Sequence, residues 1–162
     1  MKKKIKYVFL ILYVLIICLI LMSSLKDGKK SSEESSAVTD VIVDTVEIVT
    51  NEEVKLDYDK THFYVRKVIG HFGSFFICSI FGLLCYYFFL LKEKNALIIS
   101  VCSGAVIAVA SELLQLLSVG RYCEVTDMII DYSGYICGSL IVILIIYLVN
   151  KKKVKQMSNE NA

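Results

Sequence analysis

Residues 96–118 read ALIISVCSGAVIAVASELLQLLS, a run in which Glu112 is the single charged residue. A helix rising about 1.5 Å per residue covers the roughly 30 Å hydrocarbon layer of a bilayer in about 20 residues, so this run is long enough to cross. It is too long for an ordinary strand, and a membrane barrel strand would alternate apolar and polar residues. Working outward, residues 5–25, 68–91 and 128–149 have the same character. The expected fold is therefore an all-α integral membrane bundle of four transmembrane helices. The chain of 162 residues has room for one such domain, 1–150, followed by a basic tail, 151–162.

Composition agrees. Hydrophobic residues make up 56% of the chain and charged residues 21%, mean hydropathy is +0.64, and there is no Pro. A disordered chain, a collagen and a disulfide-rich secreted module are excluded, and the bunching of apolar residues argues against a soluble enzyme. The six Cys (Cys18, Cys78, Cys85, Cys102, Cys123, Cys137) form no C-x-x-C pair, and five of them lie in apolar runs, where Cys behaves as a small hydrophobe. Neither a metal site nor a disulfide framework is assigned, and no cofactor.

Charge is distributed unevenly. Lys2, Lys3, Lys4 and Lys6 open the chain, Lys92 and Lys94 flank a short turn, and Lys151, Lys152, Lys153 and Lys155 follow the last run. Residues 26–65 carry ten acids against five Lys. Lys clusters abutting apolar runs speak for membrane topology and against nucleic-acid binding. With four crossings, both termini and the 92–94 turn fall on one side, read as cytoplasmic, and the 26–67 and 119–127 loops on the other. The first run lacks an A-x-A site and a small residue before Cys18, so it reads as a retained anchor.

Within the outer loop, Ser35 or Ser36 is expected to cap a helix running to Thr50. Val38, Val41, Ile42, Val46 and Val49 share one face of it, with Asp40, Asp44 and Glu47 on another. An extracellular amphipathic helix between the first two membrane helices is expected, lying on the membrane surface or over the bundle.

Charges inside membrane helices cost a few kcal/mol or more and mark functional sites by default. Counting rises, Glu112 lies roughly 9 Å below the outer end of its helix, Asp131 roughly 6 Å below Asp127, and His71 roughly 6–8 Å below Arg66 and Lys67. All three reach one level. Each sits on a stripe of small residues: His71, Ser74, Cys78, Gly82 and Cys85; Ser100, Gly104, Ala108, Ser111 and Gln115; Asp127, Asp131, Gly134 and Gly138. Small residues let membrane helices approach closely, so Gly82, Gly104, Gly134 and Gly138 are read as packing positions. Three helices converging this way make an outward polar cup. Its expected ligand-binding residues are Arg66, Lys67, His71, Glu112, Gln115, Arg121, Asp127 and Asp131. The arginines suit phosphate or carboxylate, and His71, Glu112 and Asp131 are the candidates for acid–base work. Internal neutralisation of the acids by Arg66 and Arg121 is the competing reading, and a metal held by His71 and the carboxylates ranks last.

These residues also form a family pattern. Met22-Ser23-Ser24 with the Ser-rich 31–36 stretch and Val38-Thr39, Arg66-Lys67 with His71-Phe72, Ser111-Glu112-x-x-Gln115, and Arg121, Asp127, Asp131, Gly134 and Gly138 together resemble the VanZ-like family of bacterial membrane proteins over roughly 7–145. The family is named for an accessory protein of glycopeptide resistance. Two positions depart from it. Asp131 stands where many relatives have Asn, and no Pro precedes Gly120.

The resemblance implies a cell-envelope role in the bacterial plasma membrane, with reduced teicoplanin susceptibility as the named phenotype. The expected partners are the lipid bilayer and, in the cup, a lipid-linked wall precursor, a phospholipid or a teicoplanin-type lipoglycopeptide; a homo-oligomer stays open. An intramembrane hydrolase or transferase acting on an envelope lipid is the alternative. A small transporter or holin-like pore ranks last, because a transporter places ionisable groups near the bilayer midplane.

Overall fold

The computed structural model describes residues 2–50, 57–90 and 93–160. They form α1 (Lys2–Ser24), α2 (Gly28–Thr50), α3 (Tyr58–Tyr64), a π-helical stretch (Val65–Gly73), α4 (Ser74–Leu90), α5 (Glu93–Gln115) and α6 (Val125–Glu160), with no strand among the described residues. Four helical stretches are long and apolar enough to cross a membrane: Lys4–Ser24, Tyr58–Leu90, Glu93–Gln115 and Val125–Met157. The fold is thus the expected all-α bundle with four membrane helices.

Several boundaries differ from the sequence reading. The second membrane helix is expected over 68–91; it instead begins ten residues earlier, where the Asp57 side chain accepts a hydrogen bond from the Lys60 amide (3.3 Å) and caps α3. Its Leu91, with Lys92 of the turn and 51–56 of the outer loop, lies outside the described residues. The third helix ends at Gln115 rather than 118, and Gly120 (φ 71°) turns the chain toward α6. The fourth is expected over 128–149 but runs to Glu160, because the Lys-rich tail sustains helix once outside the apolar layer.

The largest revision concerns α2. It begins at Gly28, not at Ser35 or Ser36, and it meets the bundle through Thr39, while Val41 and Val49 of its valine face stay exposed, as on a helix lying along a membrane surface. Thr39 is fully buried, whereas Val41 and Val49 are 65% and 78% exposed. Hydroxyls can face the bundle because the helix's own backbone satisfies them: Ser35 Oγ donates to the Ser31 carbonyl (3.0 Å) and Thr39 Oγ1 to that of Ser35 (2.8 Å). The Gly28 amide donates to the Val119 carbonyl (2.9 Å), which fixes the start of α2 against the turn after α5. A Cβ at Gly28 would strike the Gly120 carbonyl.

The bundle core is built on Tyr135 of α6, whose ring is fully buried. It occupies the notch left by Gly82 of α4 and Gly104 of α5. Its hydroxyl lies 3.0 Å from that of Tyr13 on α1, and Tyr13 reaches Ser103 Oγ on α5 at 3.0 Å. Polar tips in an apolar layer need partners, and these supply one another. Toward one end of α6, Gly134 abuts the backbone of Phe72, and Gly138 that of Phe76. The outward faces of the spans carry Ile11, Leu15, Leu19, Val106 and Leu144, as lipid contact requires.

The two ends of the bundle differ. At one, Lys6 Nζ lies 4.8 Å over the Phe89 ring, and Asn150 on α6 donates to Glu93 on α5. At the other, the end of α1, the start of α2 and the α5–α6 turn meet. There Ser118 Oγ donates to the Ser24 carbonyl (3.2 Å) and Arg121 Nη1 to that of Ser23 (3.0 Å), capping the carbonyl end of α1.

Glycine substitutions test this packing. Gly134→Ala or Gly138→Ala pushes a methyl into backbone and is expected to lower stability by about 1–3 kcal/mol. Gly70→Ala, with nothing within 4 Å of the added methyl, is expected to be neutral or slightly stabilising. Thermal unfolding followed by a thiol-reactive dye reads this in a background with Cys18, Cys102, Cys123 and Cys137 replaced by Ala, where Cys78 and Cys85 remain as buried free thiols.

Candidate functional site

The π-helical stretch carries Arg66, Lys67 and His71. π-turns inside α-helices are uncommon and gather at functional sites. This one sits where the helix rooted in the bundle passes into its outer extension, opposite Glu112 and Gln115 on α5 and Asp127 and Asp131 on α6. Glu112, Gln115, Asp127 and Asp131 are all nearly or fully buried, although each is polar. The three residues placed at one level by helical rise, His71, Glu112 and Asp131, come together in space.

Their contacts form one connected set. His71 Nδ1 lies 3.0 Å from Asp131 Oδ1 and 3.9 Å from Glu112 Oε1, while Nε2 lies 3.4 Å from Asp127 Oδ2. Lys67 Nζ donates to Asp127 and to Glu124 Oε2 (3.1 Å). Glu112 accepts from the Gln115 side chain at one oxygen and from the Glu124 amide (3.2 Å) at the other. Ser111 Oγ donates to Asp131 Oδ2 (3.4 Å). Every buried carboxylate therefore has donors, as burial in low dielectric demands.

The arginines are placed differently. Arg66 and Arg121 line the same cavity of about 220 Å³ as His71, Glu112 and Asp131. No ion pair joins either of them to an acid among the described residues, and the Nε of each is buried without a hydrogen-bond partner. The buried acids are thus held by the Lys67 ion pair and by contacts with His71, not by the arginines. Burial, and then the nearby Arg66 charge, hold the Arg121 guanidinium below its ordinary value; Glu112 and Asp127 pull the other way at longer range. Two cations that repel each other across a cavity, with donors to spare, form a place where negative charge is wanted.

Helix α2 contributes Ser31, Glu34, Ser35 and Val38 to the cavity wall, so it borders the site rather than lying apart from it. Lys26 Nζ holds Glu34 at 2.8 Å, which removes that acid from competition for the arginines. Ser23, Ser24 and Glu124 also belong to the site, and none was among the residues picked from the sequence. Their contribution comes from backbone atoms or from a loop position, and neither leaves a mark in hydropathy. The π stretch left no mark either.

Removing Lys67 is expected to expose the logic of the pairing. Lys67→Met leaves Asp127, 2% exposed, without its cation, and should cost about 2–4 kcal/mol in thermal or denaturant unfolding. Arg66→Met removes no ion pair and should cost far less. Equal losses would contradict this division of labour.

The VanZ/LLP1 family profile matches residues 9–147. No curated protein matches the chain, and no solved structure does. The match takes in most of the first and last membrane helices, the two between them and every residue of the cavity described above, and the chain belongs to the VanZ/LLP1 family.

Proposed function

We propose that this is a multi-pass protein of the bacterial plasma membrane whose cavity faces outward and binds an anionic, lipid-linked ligand. The observation that carries the reading is the pair Arg66 and Arg121, which face one cavity with buried, unpartnered Nε atoms while the acids around them are satisfied by other donors. Guanidinium groups suit phosphate and carboxylate because their forked donors match planar or tetrahedral oxyanions. Ile20, Val38, Val65, Ile69 and Phe75 add apolar walls to the same cavity, which suits an amphiphile. A wall precursor, a phospholipid head group and a teicoplanin-type lipoglycopeptide share that chemistry. The orientation rests on the Lys clusters at both chain ends, which belong on the cytoplasmic side with the cavity opposite.

Through that ligand the protein contributes to glycopeptide resistance, teicoplanin in particular. Strains carrying a deletion, the wild type or Arg66→Ala/Arg121→Ala at matched membrane levels test this. Loss of the protein should sensitise cells to teicoplanin more than to vancomycin or daptomycin, and the double variant should behave as the deletion. Unchanged susceptibility on deletion would end the resistance reading.

A second reading has one observation in its favour. The 3.0 Å contact between His71 and Asp131, with Glu112 beside them, is the kind of arrangement that moves protons in a hydrolase or transferase acting on an envelope lipid. Glu112→Gln separates the two: it keeps shape and abolishes a proton-transfer role, whereas a binder relying on the arginines retains most of its function.

A further inference from the structure

We infer that His71, Glu112 and Asp131 hold a divalent transition-metal ion of the Zn²⁺ type, and that this ion forms the floor of the anion site. The inference deepens the reading of the cavity as an anion site, but its evidence is separate. One ligand atom from each of the three residues can be chosen so that all lie within 4.8 Å of one another. His71 Nδ1 is 3.0 Å from an Asp131 oxygen and 3.9 Å from a Glu112 oxygen. Ligands at Zn–N and Zn–O distances of about 2.0–2.1 Å in a tetrahedron stand about 3.4 Å apart, between those two values. Three protein ligands leave a fourth position open, and here it faces the cavity. An imidazole among the donors favours Zn²⁺ over Mg²⁺ or Ca²⁺, which prefer oxygen alone.

Two further observations point the same way. Metal-binding histidines almost always turn their other nitrogen to a carboxylate that fixes the ring. His71 Nε2 faces Asp127 Oδ2 at 3.4 Å, and Lys67 in turn holds Asp127. Glu112 Oε2 and Asp131 Oδ2 accept from the Glu124 amide and Ser111 Oγ, and the Gln115 side chain, which holds Glu112 Oε1, turns away for that oxygen to ligate. Charge is the second observation. Lys67 cancels Asp127, which leaves Glu112 and Asp131 facing a histidine that is neutral when it ligates a metal. A divalent ion cancels those two. Arg66 and Arg121 then remain, and a phosphate group carrying about −1.5 to −2 at neutral pH cancels them. Glu112, Asp127 and Asp131 against Lys67, Arg66 and Arg121 sum to zero with neither guest and with both, so the ion and the anion are expected to enter together. In the sequence a metal held by His71 and the carboxylates ranks last among the readings of the cup; the geometry is what raises it.

The test uses the full chain in nanodiscs, stripped with chelator and titrated with Zn²⁺, Co²⁺, Mg²⁺ and Ca²⁺, with inorganic phosphate as the anion probe. The wild type should bind one equivalent of Zn²⁺, show ligand-field bands with Co²⁺, and bind Mg²⁺ and Ca²⁺ far more weakly. Asp131→Asn and Glu112→Gln should lose the ion, and Asp127→Asn should weaken it about 10–100-fold. Arg121→Ala should keep the ion and lose phosphate. The Co²⁺ spectrum is read on the wild type, so a variant that fails to fold cannot decide the matter. Absence of Zn²⁺ binding by the wild type, or Zn²⁺ binding undiminished in a folded Asp131→Asn protein, overturns the inference. If metal-free wild type still binds phosphate through Arg66 and Arg121, the anion reading survives alone. If the ion binds and phosphate does not, the metal site stands and the anion reading falls.

Discussion

Burying a carboxylate costs several kcal/mol unless donors replace the water it loses. Among the described residues three carboxylates are buried, Glu112, Asp127 and Asp131, between helices at one end of an apolar bundle. Much of the local architecture serves that constraint. Lys67 reaches Asp127, His71 bridges Asp127 and Asp131, the Glu124 amide and Gln115 hold Glu112, and Ser111 donates to Asp131. These groups come from the π-helical stretch, α5, the α5–α6 segment and α6. The polar cluster therefore joins elements that lipid alone would not drive together, since helix association in a membrane lacks a hydrophobic driving force.

Close approach of the helices makes those short polar contacts possible. Gly134 and Gly138 bring α6 against the backbone of the helix carrying His71, one and two turns beyond Asp131. Tyr135, between them in sequence, fills the notch formed by Gly82 and Gly104 and ties its hydroxyl to Tyr13. The same approach leaves the arginines outside the paired set. Lys67, four residues before His71 on the π stretch, takes Asp127 and Glu124, and Arg66 next to it turns to the cavity with Arg121. A site with satisfied acids and spare guanidinium donors follows from that partition.

Much of this was legible in the sequence. Charges inside apolar runs announce themselves, and the regular rise of a helix placed His71, Glu112 and Asp131 at one level, where the structure brings them together. Small-residue stripes named the helix faces that pack. What stayed hidden has physical causes. The valine stripe of α2 left open whether membrane or bundle receives it, and it gave no sign that Thr39, whose hydroxyl is satisfied on its own helix, is the residue buried against the bundle. The π stretch has no compositional signature. Residue types alone allowed Arg66, Lys67 and Arg121 equal claims on the acids, and only coordinates show which cation takes which partner. Ser23, and Glu124 in its contact with Glu112, act through backbone atoms that any residue possesses.

The central claim is that Arg66 and Arg121 keep guanidinium donors for an anion, beyond the one bond by which Arg121 holds the end of α1. Native mass spectrometry of the protein released from its own membrane in mild detergent addresses it most directly. The account predicts a co-purifying phosphate-bearing or otherwise anionic lipid-linked adduct on the wild type, lost from a folded Arg66→Ala/Arg121→Ala protein. Anionic adducts of equal abundance on both proteins, or none on either, would contradict it.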